Sequence, residues 1–104
     1  MKLIVLPEAS AELADAVEYY EGEEAGLGER LWWEVDDHLR WIAANATLPR
    51  LRPGDYRRVN LKVFPYYIAY ALRDDSAVVL AIAHGHRQPE YWIGRQSAGG
   101  TRQN

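Results

Sequence analysis

The apolar residues of this chain recur at two different spacings, and the change between them limits the fold more than any other feature. From Glu8 onward, Ala9, Leu13, Ala16, Val17 and Tyr20 return at helical intervals, with Glu8, Glu12, Asp15 and Glu18 between them. Glu8 and Glu12 occupy the first turns, where the helix dipole favours negative charge. This helix is expected to end near Glu21–Glu24, where Gly26 and Gly28 punctuate the chain. A second helical stripe, Leu31, Val35, Leu39 and Ile42, predicts a helix over roughly Leu27–Ala44 and therefore an antiparallel helical hairpin. Beyond the two-proline loop Thr47–Asp55 the period drops to two. Strands are expected at about Tyr56–Lys62, Pro65–Leu72 and Ala77–His84, with Arg73-Asp74-Asp75-Ser76 as a hairpin turn. The β-branched run Lys2–Leu6, stopped by Pro7, is a further short strand. The order is β-α-α-β-β-β. The expectation is an α+β domain with the helical hairpin on one face of a small, mainly antiparallel sheet.

The chain's 104 residues fit one domain. We expect it to span residues 1–95, followed by a Gly/Ser/Thr-rich tail, 96–104, that reads as disordered. No cysteine is present, which excludes disulfides and cysteine-based zinc sites and is compatible with a reducing cytoplasm. The apolar run at the N-terminus is too short for a signal peptide or a membrane span, so a cytoplasmic protein without a membrane partner is expected. Charge is unevenly divided. Met1–Pro53 carries five Lys/Arg against eleven Asp/Glu, a net of −6, while Gly54–Asn104 carries seven against four, a net of +3. An acidic or polyanionic partner is expected on the second half, although helices rich in Glu for propensity alone would give the same imbalance.

Alternation along the strands assigns faces. Ile68, Tyr70 and Leu72, with Val78, Leu80 and Ile82, are expected under the helices, together with Val59 and Leu61. The opposite face then presents Ala69, Ala71, Val79, Ala81 and Ala83, a shallow trough walled by Arg58, Asn60, Lys62 and Tyr67. A slip of one residue in register would invert this assignment. Trp33, Asp37 and Trp41 fall at i, i+4 and i+8. They form either an exposed aromatic ridge or, the reading preferred here, rings wrapped on the rim of the core. His84 shares the parity of Ile82 and is expected on the core side. Arg57 has the same parity near a strand end and is expected to snorkel or to pair with an acidic helix residue. After the last strand, His86, Arg87, Tyr91, Trp92 and Arg95 gather at the end of the sheet, with Pro89 placed to start a helical turn.

Taken together, PEASAELADAVEYYE, GLGERLWWEVDDHLRWIA and YRRVNLKVFPYYIAYALRDDSAVVLAIAHGHRQPEYW resemble the RelE/ParE superfamily of toxins from type II toxin–antitoxin systems, most closely its plasmid-stabilisation branch. The resemblance spans about Met1–Arg95, and its most specific parts are Phe64-Pro65-Tyr66 and the ending AIAHGHRQPEYW. It implies the β-α-α-β-β-β fold, a cognate antitoxin that wraps the toxin, growth inhibition as the outcome, and no cofactor or metal. Two mechanisms are open. ParE-like members inhibit DNA gyrase without bond-breaking chemistry, whereas RelE-like members cut messenger RNA on the ribosome. A degenerate, non-toxic antitoxin-binding protein is a third reading. RNA cleavage needs a base, an acid and cations around the phosphate. For it, His86, whose intrinsic pKa lies near neutrality, Arg87 and Tyr91 are the catalytic candidates. For a polyanion or the antitoxin, the binding candidates are Arg58, Lys62, Tyr67, Arg87, Trp92 and Arg95. Two departures weigh against cleavage: RNA-cleaving relatives usually carry an Arg about where Tyr67 stands, and they tend to be strongly basic. The gyrase reading is therefore preferred.

Overall fold

The computed structural model describes residues 1–100. A short strand β1 (Lys2–Val5) leads into helices α1 (Pro7–Glu23) and α2 (Leu27–Asn45). Strands β2 (Arg57–Asn60), β3 (Tyr66–Arg73) and β4 (Ser76–His84) follow, and helix α3 (Ile93–Gly100) closes the described chain. The strands form one sheet in the order β1-β4-β3-β2, with β1 parallel to β4 and the other pairs antiparallel. The α+β class and the β-α-α-β-β-β order agree with the sequence reading.

Local chemistry explains the helical hairpin. Pro7 begins α1 at a position where its missing N–H would have had no intrahelical partner. Gly26 takes φ +90, a conformation disfavoured for residues with a Cβ, and turns the chain into α2. The free amides at that helix start are taken up by Glu21, whose carboxylate accepts from Gly26 N–H at 2.8 Å and Gly28 N–H at 3.0 Å. The Gly26 contact holds the Glu21 carboxyl below its ordinary pKa. Gly28 also permits the close helix crossing, since a Cβ there would lie 2.4 Å from the Val17 carbonyl oxygen.

The helices bury Ala9, Ala16, Leu31, Val35 and Ile42 against Ile68, Tyr70, Val79 and Ile82 of the sheet. Each large aliphatic side chain buried in this way contributes about 1.5–3 kcal/mol. The Tyr70 hydroxyl, deep in this layer, donates to the Ala46 carbonyl at 2.7 Å.

Three expectations are corrected. First, β4 carries a bulge. Ala69 pairs with Ala81 but Tyr70 pairs with Val79, so Leu80 is left without a partner on β3. The extra residue inverts the parity of the first half of β4. Val79 and Ala77 lie under the helices, while Leu80 and Val78 join Ala81 and Ala83 on the opposite face. Second, that opposite face is not an open trough. Trp92, 1 % exposed, packs there with Tyr56, Tyr67, Ala69, Ala71 and Leu80, making a second core. The sheet is therefore sandwiched between the helical hairpin and the C-terminal segment. Third, Trp33 and Trp41 are 51 % and 41 % exposed and form an outward ridge on α2, not a rim of the core. Helix α3 covers Ile93–Gly100, and the rest of the expected tail, residues 101–104, lies outside the described region. The segment around Pro89 is a series of turns, and helix resumes only at Ile93.

Candidate functional site

Strand β1 accompanies β4 only as far as Val5 and Val79, because Pro7 then starts a helix. Leu6 N–H makes the last backbone contact, to the Val79 carbonyl at 3.1 Å. Past that point the edge of β4 at its bulge would be unpaired. Two charged side chains finish it. Glu12 Oε1, from α1, accepts from Ile82 N–H at 3.0 Å, and Arg95 Nη1 donates to the Leu80 carbonyl at 3.0 Å. The two side chains also bind each other, Arg95 Nη1 to Glu12 Oε1 at 3.1 Å and Nη2 to Oε2 at 3.0 Å, the paired geometry that strengthens Arg–carboxylate contacts. Tyr91 completes the group by donating its hydroxyl to Glu12 Oε2 at 2.5 Å.

This network determines what the C-terminal candidates can do. Burial, and then the hydrogen bond to Glu12, push the Tyr91 hydroxyl well above its ordinary pKa. It is a poor proton donor and a worse base. Burial alone would lower the Arg95 pKa, but the Glu12 contact outweighs it and keeps the guanidinium charged. The Arg87 guanidinium lies 4.1 Å above the Tyr91 ring and is otherwise exposed. Arg87, Tyr91 and Arg95 are thus brought together, but as a clamp between α1, β4 and α3.

Tyr67 and Trp92 belong to the second core. Trp92 Nε1–H donates to the Tyr67 hydroxyl at 2.9 Å, and the Trp92 ring meets Tyr56 edge-on at a centroid distance of 4.6 Å. The Tyr56 hydroxyl donates to Glu90 at 2.7 Å, tying the turn before Trp92 to the sheet. Burial removes Trp92 from any exposed surface, so it is not available to stack on a base. Tyr67 is buried too, and the Arg58 guanidinium lies over its ring at 3.9 Å.

The remaining candidates divide by location. Arg58 and His86 face a small cavity of about 270 Å³ with Asn60, Phe64 and Tyr66. The His86 backbone N–H donates to His84 Nδ1 at 3.0 Å, and the His84 ring packs edge-on against Tyr66 on the helix side, as its parity predicted. Lys62 lies instead on a groove of about 490 Å³ between β2 and α2, shared with Arg58, Trp41 and Pro49. Arg57 turns to the loop, its Nε donating to the Pro49 carbonyl at 2.9 Å, and does not pair with an acidic helix residue.

Sequence reasoning missed Glu12 and Glu34. Glu34, on α2, accepts from Lys62 N–H at 2.6 Å and Val63 N–H at 3.1 Å and closes the turn before β3. Neither residue announces itself by spacing. Both read as solvated helix carboxylates, and only the tertiary arrangement turns them inward.

Among the described residues no helix is long and apolar enough to cross a membrane. No curated protein matches the chain. The chain is similar in structure to one from the chromosomal ParDE TA system from P. aeruginosa, with a TM-score of 0.63, 19% sequence identity, and coverage of 81% of this chain and 95% of that one. A likeness at that identity concerns the fold. The family model described as "ParE toxin of type II toxin-antitoxin system, parDE" matches residues 3–89, from β1 through the turns after β4. The chain belongs to the ParE toxin family of type II toxin–antitoxin systems.

Proposed function

We propose that this chain is a growth-inhibiting toxin neutralised by a cognate antitoxin, and that it acts by a ParE-like protein–protein interaction with DNA gyrase. The observation that carries the choice of mechanism is the fate of Tyr91. Its hydroxyl is committed to Glu12 and its pKa is raised, so it supplies neither proton nor base at neutral pH. Trp92 is buried and Tyr67, 5 % exposed, lies under the Arg58 guanidinium, so neither of these two rings is free to stack on an RNA base. What remains exposed is suited to binding: the ridge of Trp33 and Trp41, with Trp32 beside Trp33 at 5.0 Å, and the cations Lys62 and Arg87, with Arg58 half-buried on the groove that Lys62 lines. Large exposed aromatic side chains of this kind are enriched at protein interfaces.

One observation keeps the messenger-RNA reading in play. Arg58 and His86 line the same cavity, so a cation and an imidazole open onto one space. The two mechanisms separate in a purified system. The chain is added to gyrase with relaxed plasmid and ATP, and separately to translating ribosomes carrying a defined message. Loss of supercoiling with intact message is the expected result. Cleavage of the message that disappears in His86→Ala, with supercoiling unaffected, would replace the gyrase reading by the enzymatic one.

A further inference from the structure

Helix α1 carries six carboxylates and no Lys or Arg. Glu12 is committed to Arg95 and β4, but Asp15, Glu18, Glu21 and Glu23 stay exposed. A groove of about 770 Å³ lies along this acidic helix, beside Trp32 of α2. Leu13 and Val17, both half-buried, line it from α1. Trp32, 43 % exposed, lines it from α2 and rests edge-on against Trp33 at 5.0 Å. Ser10, Ala14 and Gly22 are small, exposed residues of the same groove. The fold does not require glycine at position 22. Its φ is not positive, and a Cβ there would meet nothing within 4 Å, in contrast to Gly28 at the helix crossing. Glycine weakens a helix, so its gain here lies outside the domain, in leaving room for close approach. Glu18 and Glu21 edge the apolar lining, and Glu21 keeps its charge while it accepts from Gly26 and Gly28.

We infer that this groove docks a cationic amphipathic helix of the protein on which the toxin acts. This rests on the reading of the chain as an inhibitor of gyrase by protein–protein contact, and gives that contact a surface. Shape and charge select the occupant. From Ser10 to Gly22 the groove follows α1 for about 18 Å, the length of a helix of about twelve residues. Apolar side chains at helical spacing on the partner fill the space between Leu13, Val17 and Trp32, and Lys or Arg beside them meet Glu18 and Glu21. The other occupants fit poorly. A polar small molecule would find few polar groups converging on it. Nucleic acid and an anionic membrane surface are repelled by the carboxylates of α1. So is an acidic antitoxin segment, whose charge suits the second half of the chain instead. In a second copy of this chain, α1 would face its own counterpart with like charge throughout.

The test titrates purified gyrase with the full chain and follows supercoiling of relaxed plasmid. Ala14→Arg places bulk and positive charge in the groove, and Glu18→Lys reverses the charge at its edge. Both positions are exposed on α1, so both variants should keep the wild-type melting temperature. Each should raise the concentration needed for inhibition about tenfold or more. Asp75→Lys makes the same change in net charge as Glu18→Lys, but in the β3–β4 turn outside the groove, and should inhibit like the unmodified chain. Binding of the product of the adjoining reading frame is measured on the same preparations and should be retained by all three. Inhibition by Ala14→Arg and Glu18→Lys within about twofold of wild type would overturn the groove as the docking site and leave the gyrase reading intact. Loss of binding to that product with inhibition unchanged would give the groove to the antitoxin. A dimer of the free chain, seen by sedimentation and split by Ala14→Arg, would give it to a second copy; either result overturns the inference. Unimpaired supercoiling with the unmodified chain would overturn the gyrase reading, and the docking site with it.

Discussion

Glu12 is the residue whose removal most directly tests how the C-terminal segment is held. Its carboxylate accepts from Ile82 N–H, from both terminal nitrogens of Arg95 and from the Tyr91 hydroxyl. Glu12→Ala leaves a partly buried guanidinium, a phenol and a strand amide without their acceptor. The side chains of Arg95 and Glu12 are only 21% and 18% exposed, so water restores part of the loss but not most of it. Breaking a fully buried pair costs about 3–5 kcal/mol, and a charged hydrogen bond contributes about 1.5–3 kcal/mol. Partial exposure places Glu12→Ala at about 3 kcal/mol. For a domain of this size that is a fall in melting temperature of roughly 12–24 °C. Urea unfolding followed by tryptophan fluorescence measures it, and acrylamide quenching of Trp92 reports whether the segment has loosened in the folded state. The double variant with Arg95→Ala should be less destabilised than the sum of the two single variants by about 1–3 kcal/mol, since both remove the same contact. A loss below about 0.5 kcal/mol for Glu12→Ala, the range of neutral surface substitutions, would refute the clamp.

Two further predictions concern stability. Gly28→Ala should destabilise the domain by about 1–3 kcal/mol, although the same change inside an exposed helix gains up to about 1 kcal/mol; a rise in melting temperature would show that the helices can separate at no cost. Tyr91 has a folded-state pKa raised above the unfolded one, as do Tyr20, Tyr56, Tyr66 and Tyr70, each first by burial. The folded state therefore holds these protons more tightly. The associated stability is complete below the unfolded phenol pKa of about 10 and is lost as pH rises through the higher folded values. Tyr91→Phe should lessen this alkaline loss, and an unchanged slope of stability against pH above that value would contradict the assignment.

The helices and strands were legible because their evidence is periodic. Leu31, Val35 and Ile42 fall at helical spacing and are buried as that spacing requires, and Ile68 and Tyr70 share the helix side of their strand as alternation requires. The failure lay in β4. Val78 to Ala83 contains only apolar residues, so either face can be buried and nothing in their order marks Leu80 as the inserted residue. The alanine face was recognised correctly as small, but its smallness makes room for Trp92, not for a ligand. That contact joins residues far apart in the chain, and no local pattern carries it. Arg58 and Lys62 were singled out for their charge and do stand on an open groove. Arg95 was singled out on the same grounds and Tyr91 as a catalytic candidate, but Glu12 holds both in the fold. Its partners follow from where β1 stops, which requires the topology. Trp33 and Trp41 were misplaced because large aromatics are usually drawn to the core, and this helix instead leaves them outward.

The central functional claim is the gyrase-directed toxin, and induced expression without antitoxin tests it most directly. Incorporation of labelled precursors into DNA and into protein is followed in parallel after induction, with His86→Ala alongside. DNA synthesis should fall first, cells should form filaments, and His86→Ala should be as toxic as the unmodified chain. An early collapse of protein synthesis that His86→Ala abolishes would contradict the claim and make the chain an RNA-cleaving toxin. Unimpaired growth with folded protein present would leave the family and fold standing and remove the toxic activity.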